Sequence, residues 1–158
     1  MDDITLARAL HILAIVFWIG GVAMVTTVLL PAVRGFKSPG ERIAFFEEVE
    51  ERFARQSRIS TLLAGLSGFY MVARLDLWDR FWSPTFWWMD AMVLVWLIFS
   101  IMLFVAEPLY LHHWFLARAK SSPDKTFRLI QTMHWVLLTL SLITIVGALA
   151  GAHGLYFF

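Results

Sequence analysis

The stretch ALHILAIVFWIGGVAMVTTVLLPAV, residues 9–33, contains no Asp, Glu, Lys or Arg over 25 consecutive positions. An α-helix rises 1.5 Å per residue, so about 20 apolar residues cross the hydrocarbon core of a bilayer. A second uncharged run covers residues 129–158 and is 30 residues long. Each run is long enough to span the membrane alone, which indicates an integral membrane protein.

Two shorter uncharged runs, residues 59–73 and 91–106, lie between these and reach spanning length with their aromatic flanks. The resulting prediction is an all-α membrane protein with transmembrane helices over about residues 5–31, 57–77, 86–114 and 127–153. Four spans put both termini on one side, and the short connections favour an antiparallel four-helix bundle. The first span opens with Asp2 and Asp3 and lacks an A-x-A site, so we expect it to be retained rather than cleaved.

Ten of the 13 basic residues lie between residues 34 and 58 or between 118 and 128, in two predicted loops on the same side. The positive-inside rule places these loops in the cytoplasm and both termini outside. The first loop begins with Ser38-Pro39-Gly40-Glu41, a capping box with proline at the first helical position. Apolar residues then recur at helical spacing, which predicts a cytoplasmic amphipathic helix over about residues 39–56.

Composition excludes several classes of protein. The net charge of +1 argues against a nucleic-acid-binding protein. The chain has no cysteine, and therefore no disulfide, no thiolate metal site and no covalently attached c-type haem. It contains no phosphate-binding glycine loop, nucleophile elbow or H-E-x-x-H motif.

The histidines supply the first candidate site. His11 lies about 9 Å below the outer edge of the first span, where an intramembrane ionisable group is usually functional. His153 has a similar depth on the last helix, which normally neighbours the first in such a bundle. Two imidazoles at matching depth are the axial ligands of six-coordinate b-type haem. His134 lies about 28 Å along the helix from His153 and cannot share its metal. His134 with His112 or His113 is a weaker candidate for a second metal-binding site, at the inner side of the membrane.

We expect other residues to contribute to the same haem site. Trp18 is in phase with His11 on the first helix, and Gly21 would clear space beyond it. Asp90, near the outer end of the third helix, is expected to meet Arg74, Arg80 or an outer histidine. Glycines at 65, 68, 147 and 151 either pack helices closely or admit a flat ligand.

The inner end of the third helix carries a second carboxylate. Glu107 is followed by Pro108, which predicts a kink. We expect Glu107 to meet Arg55, Arg58 or His134, because a buried carboxylate needs a partner or takes a proton. Glu107 and Asp90 are therefore either structural ion pairs or proton-handling groups beside a redox cofactor.

Leu10-His11, Trp18 and Gly20-Gly21 resemble the first helix of bacterial CopD-type copper-resistance proteins and of HemJ-type protoporphyrinogen oxidases. Phe86-Trp-Trp-Met-Asp90-Ala-Met92 is similar to the start of the HemJ-type third helix. The stretches 112–118 and 127–130 resemble the following hairpin. The resemblance implies b-type haem bound by His11 in the bacterial inner membrane. HemJ-type proteins carry a lysine where this chain has Met92, so the residues do not support protoporphyrinogen oxidation.

Three hypotheses follow. In the first, the chain is a small b-type haem protein that passes electrons from quinol or a membrane redox partner to an outer acceptor. In the second, it is a copper or other metal permease that uses His11, His153 and Asp90. In the third, it is a non-catalytic subunit whose outer loop and cytoplasmic helix bind other proteins. Lipid surrounds the chain in all three, and a homo-oligomer is compatible with each.

Overall fold

The computed structural model describes residues 2–35 and 38–155, and only the backbone of His112. The described residues are almost entirely helical and contain no strand, which confirms the all-α prediction. Helix α1 runs Asp3–Val33, α2 Pro39–Arg74, α3 from Trp87 to Ser121, and α4 Pro123–Ala152. Two 3₁₀ turns, Trp78–Trp82 and Pro84–Phe86, connect α2 to α3.

Contacts between α1 and α2 show that these two helices run antiparallel. At the start of α1, Asp3 accepts hydrogen bonds from Tyr70 (2.8 Å) and Arg74 (2.9 Å) near the end of α2. Farther along, the Gln56 amide donates to the carbonyl of Phe17 at 3.2 Å. The chain therefore folds back on itself after residue 33.

Hydrogen bonds also join α3 to α2 and α4 to α1. The indole of Trp96 on α3 donates to the Thr61 carbonyl of α2 at 2.9 Å. The amide of Gln131, early in α4, donates to the carbonyl of Thr26, late in α1, at 2.6 Å. We call the end near Asp3, Arg74 and Ala152 the His11 end. The opposite end, near Pro39 and Pro123, is the Phe127 end.

The glycines of α2 and α4 serve close packing against α3. A Cβ at Gly147 or Gly151 would collide with the rings of Trp87 and Trp88, and one at Gly65 would collide with Trp96. Of the two interpretations of these small residues, the structure supports helix packing at all three positions. The tryptophans of α3 occupy the space that the glycines leave.

The start of α2 agrees with its sequence signal. The Ser38 hydroxyl accepts from the backbone N–H of Glu41 at 3.4 Å, and Pro39 is the first helical residue. The helix then continues without a break for 36 residues. The amphipathic segment expected over 39–56 and the second predicted span are thus one helix.

Three helical stretches among the described residues are long and apolar enough to cross a membrane: Asp3–Val33, Pro84–Leu111 and Pro123–Ala152. Helix α2 is not one of them, whereas the sequence analysis counted four spans. Its uncharged stretch is only 15 residues long, is bounded by Arg58 and Arg74, and contains serines and glycines that lower its hydropathy.

Two π-helical stretches interrupt the α-helices, at Val25–Leu29 in α1 and Met102–Leu111 in α3. The second contains Pro108, which cannot donate a backbone hydrogen bond. The sequence predicts a kink there, and the structure shows a widened turn of the helix at that place. Such π-helical stretches are frequent at functional sites.

The end of α2 offers a test of local strain. The N–H of Leu77 bonds to the carbonyl of Val72, and Asp76 between them has a φ of 51°. Glycine is the usual residue at this left-handed position of a helix end. We expect Asp76→Gly to raise the free energy of unfolding by about 0.5–1 kcal/mol, measured by thermal unfolding in detergent.

Gly154 provides the matched control, because it closes α4 with the same motif and a φ of 78°. Gly154→Ala should lower stability by about 1 kcal/mol, since alanine has a Cβ that disfavours this conformation. A loss of stability in Asp76→Gly would show that its side chain contributes more than its backbone strain costs.

Candidate functional site

A cavity of about 300 Å³ lies at the His11 end and is lined by residues of all four helices. We call it the His11 cavity. Its walls are mainly apolar and aromatic, with few polar groups. The lining residues used below are His11, Trp18, Met71, Met89, Met92, Trp88, Arg8 and Arg80.

Hydrogen bonds to α2 fix the ring of His11. Its Nδ1 lies 2.8 Å from the carbonyl oxygen of Ala64 and 3.1 Å from the Ser67 hydroxyl. Because a carbonyl only accepts, Nδ1 carries the proton and donates it. The neutral ring then has its lone pair on Nε2. This is the arrangement by which proteins orient a metal-binding histidine.

The absence of a side chain at Gly68 makes room for the His11 ring. A Cβ at position 68 would lie 3.1 Å from Cε1 of His11, closer than ordinary packing allows. The glycine therefore lets the imidazole lie against the α2 backbone, where it reaches the Ala64 carbonyl one turn earlier. Among the glycines at 65, 68, 147 and 151, Gly68 is the one whose added Cβ would meet His11.

Methionines from two other helices line the same cavity. Met71 comes from α2, and Met89 and Met92 come from α3. Their scatter along the chain gives no sequence pattern that would place them at one site. The one available signal was the spacing of three between Met89 and Met92, which puts both on one helical face.

Trp18, seven residues after His11, lines the cavity and is 4% exposed. Its ring makes an edge-to-face contact with Phe99 of α3, with centroids 5.0 Å apart. Trp18 therefore forms the floor of the cavity, toward the middle of the molecule.

His153, the expected partner of His11, does not line this cavity. It ends α4, is exposed, and its Nδ1 donates to the carbonyl of Leu149 at 2.8 Å. Trp88 packs on Gly151, two residues earlier, and itself lines the cavity. Residue number along each helix correctly places both histidines at the same end of the molecule. It does not determine the direction in which each side chain points around the helix axis.

Asp90 and Gly21 are also placed differently from the expectation. Asp90 is exposed and does not line the cavity, and Arg74 pairs with Asp3 instead. A Cβ at Gly21 would collide with the ring of Phe53, so this glycine makes room for a side chain of α2. The space beyond Trp18 is thus filled by protein.

Two arginines lie at the edge of the cavity. Arg8 and Arg80 both line it and are exposed, and the guanidinium of Arg80 lies 4.8 Å from the centre of the Phe86 ring. Their positive charges suit a ligand whose apolar part enters the cavity and whose anionic groups stay near water.

A second cavity, of about 550 Å³, lies toward the Phe127 end and is lined by Glu107 and His134. We call it the His134 cavity. Glu107 forms an ion pair with Arg58, which confirms one of the partners expected from the sequence. His134 bonds through Nδ1 to the carbonyl of Ile130 at 2.9 Å. His113 is exposed and does not line this cavity, and the His112 side chain lies outside the described residues.

Within residues 2–35 and 38–155, no three His, Cys, Asp or Glu side chains converge to hold a metal ion. This does not bear on haem, whose iron takes one or two protein ligands, nor on thioether ligation. The His11 cavity combines an oriented imidazole, mainly apolar walls and two arginines at its edge.

Comparisons with protein-family models, with curated proteins and with solved structures gave no match for this chain. The fold and the cavities define a helical protein with three stretches able to cross a membrane and a cavity lined by the half-buried His11. The likeness to CopD-type and HemJ-type proteins rests on the quoted sequence motifs alone.

Proposed function

We propose that this chain is a small b-type haem protein of the bacterial inner membrane with a role in electron transfer. The observation that supports it best is the His11 ring, held by its Nδ1 hydrogen bond to Ala64 inside an apolar cavity. Haem, when bound, supplies one-electron redox chemistry at its iron. The protein supplies the ligand through Nε2 of His11 and excludes water through Trp18 and Trp88.

A methionine of α3, rather than His153, would supply a second side chain to the haem iron. Met89 and Met92 line the cavity with His11, whereas His153 is exposed at the helix end. Histidine–methionine ligation raises the reduction potential of haem relative to two histidines. Arg8 and Arg80 would hold the propionates at the cavity edge.

The proposal includes a four-helix antiparallel bundle with α2 as the fourth span. Ile59 and Leu66, 63% and 69% exposed, give α2 an apolar outer surface suited to lipid. The arginines that bound its apolar stretch are paired, Arg58 with Glu107 and Arg74 with Asp3. By the positive-inside rule, the Phe127 end lies in the cytoplasm and both termini lie outside.

A copper permease is the second candidate, favoured by the methionines. His11 with Met71, Met89 and Met92 is a soft donor set, of the kind that selects Cu(I). The residue nearest to the lysine of HemJ-type enzymes is Met92, so the proposal does not include protoporphyrinogen oxidation.

Visible spectra and metal analysis of the detergent-purified chain distinguish these candidates. The haem proposal predicts a Soret band that shifts on reduction by dithionite, with iron in proportion to protein. The copper alternative predicts no Soret band and bound copper that falls in Met92→Leu. A chain that carries neither metal after expression with added haem precursor and copper would contradict both and favour a structural subunit.

A further inference from the structure

We propose that water bound between the helices forms a path along which protons move from one cavity to the other. Four buried side-chain atoms at the middle of the molecule have no hydrogen-bond partner within residues 2–35 and 38–155. They are Nε1 of Trp18, the hydroxyl oxygens of Ser57 and Ser100, and Oγ1 of Thr61. We call these four residues the polar layer. Buried polar groups are nearly always paired, so four unpaired ones at one place indicate a ligand that pairs them.

Contacts between α1 and α2 bring three of these residues to one level. The amide of Gln56 donates to the carbonyl of Phe17 at 3.2 Å, and Ser57 and Trp18 are the next residues on the two helices. Thr61 follows Ser57 by four positions, which puts both hydroxyls on the same face of α2. The three side chains are 4% exposed or less, so they face the interior.

The fourth residue, Ser100, reaches the same level on α3. Phe99, the residue before it, contacts the Trp18 ring edge to face, with centroids 5.0 Å apart. Trp96, one turn earlier on α3, donates from its indole to the Thr61 carbonyl at 2.9 Å. The polar layer therefore includes side chains of three helices.

The polar layer lies between the two cavities. Trp18 lines the His11 cavity and Ser57 lines the His134 cavity. Along α2, Thr61 separates Ser57 from Ala64, which lines the His11 cavity. The cavities measure about 300 and 550 Å³. Since one water takes up about 30 Å³, each has room for several water molecules.

The hydroxyls of Ser57 and Thr61 differ from most others in these helices. A serine or threonine within a helix commonly donates to the carbonyl four residues earlier. The hydroxyls that make this bond belong to Thr26, Ser60, Ser67, Ser141 and Thr144. Among the described residues, Ser57 and Thr61 have no such bond. Their hydroxyls therefore remain available to a molecule between the helices.

Water fits the hydrogen-bonding groups of this region better than an apolar ligand does. The Trp18 indole only donates, whereas each hydroxyl donates and accepts, and water can pair with both kinds of group. An acyl chain would leave all four atoms unpaired. The His134 cavity also offers both donors and acceptors. Besides His134, its polar lining consists of Glu47, Glu50, Ser57, Glu107, Tyr110 and Trp114.

A line of water and hydroxyl groups can carry protons without a change in its composition. One proton joins the line at one cavity, each oxygen passes a proton to the next, and a different proton leaves at the other cavity. Ser57 and Thr61 can relay protons because a hydroxyl accepts one bond while it donates another. Trp18 only donates and therefore orients water. No step uses haem, so the proposal is independent of the proposed function.

Proton transfer is tested with the full-length chain in liposomes that contain a pH-sensitive dye. A potassium gradient with valinomycin supplies the driving force. We expect the internal pH to change faster than in liposomes without protein. Thr61→Val and Ser57→Val should each lower the protein-dependent rate about tenfold, the effect of losing one hydrogen bond from the path. Valine matches threonine in shape, and at position 57 its extra methyl can enter the His134 cavity.

Ser60→Ala is the matched control, because Ser60 is also buried on α2 but its hydroxyl is bonded to the Gln56 carbonyl at 2.8 Å. Its rate should equal that of the wild type. All variants are compared at equal helicity, and two positions are used so that a folding defect at one does not decide the result. A wild type no faster than empty liposomes, or wild-type rates in both valine variants, would overturn the proposal.

The bound water itself is tested by X-ray radiolytic footprinting of the purified chain, in which hydroxyl radicals form from water next to a side chain. We expect Trp18 to be oxidised although it is only 4% exposed, and less so in Thr61→Val. An unmodified Trp18 in the wild type would show that the polar layer is dry and would overturn the proposal.

Discussion

Replacing Phe127 with alanine is expected to lower the free energy of unfolding by about 3 kcal/mol, because a large buried side chain leaves a cavity behind. Phe127 is 1% exposed. Its ring contacts Phe46 of α2, at 5.4 Å between centroids, and Phe115 of α3, at 5.8 Å. The guanidinium of Arg42 lies 5.7 Å from the same ring and pairs with Asp124. The residue therefore joins three helices at one end of the molecule.

Phe17→Ala is the matched control, since Phe17 is 59% exposed on α1. Its truncation should change stability by at most about 0.5 kcal/mol. Both variants would be compared by SDS-induced unfolding followed by circular dichroism. If the two substitutions cost the same, the aromatic cluster at the Phe127 end would not be the packed core described here.

Arg58→Met is expected to cost about 2–3 kcal/mol, somewhat less than the loss of one partner from a fully buried ion pair. The side chains of Arg58 and Glu107 are 32% and 23% exposed, and the surface near them is apolar. Loss of the arginine leaves Glu107 among apolar residues without its charge partner. The loss of stability is measured by SDS-induced unfolding followed by circular dichroism.

A neighbouring arginine on the same helix serves as the control for this pair. Arg55 lies 4.0 Å from Glu51, and both side chains are largely exposed, so Arg55→Met should cost less than about 0.5 kcal/mol. The double variant Arg58→Met with Glu107→Gln should recover part of the loss. Equal effects of Arg55→Met and Arg58→Met would show that the Arg58–Glu107 pair contributes no more than a surface contact.

The uncharged runs were sufficient to predict the helices, because backbone groups in a bilayer must be satisfied within the helix itself. The start of α2 was equally predictable, since Ser38 and Pro39 act locally. The rule that a buried carboxylate finds a cation gave Arg58 as one of three possible partners of Glu107, and the structure shows that pair. These predictions depend on residues that are close in the sequence, or on the general cost of burying a polar or charged group without a partner.

The candidate site was predictable only in part. Depth along a helix comes from residue number, but the direction a side chain faces depends on how neighbouring helices pack. Trp88 fills the space beside Gly151, and His153 lies outside the His11 cavity. The Ala64 carbonyl that orients His11 belongs to another helix, and no local pattern identifies it. The widening of α3 likewise depends on tertiary packing around Pro108.

The haem content of purified wild type, His11→Ala and His153→Ala, measured as the pyridine haemochromogen, tests the assignment of His11 most directly. We expect haem in proportion to protein in the wild type and in His153→Ala, and almost none in His11→Ala. The three proteins would be expressed with added haem precursor and compared at equal helicity. Haem absent from the wild type, or retained in full by His11→Ala, would contradict the proposed function.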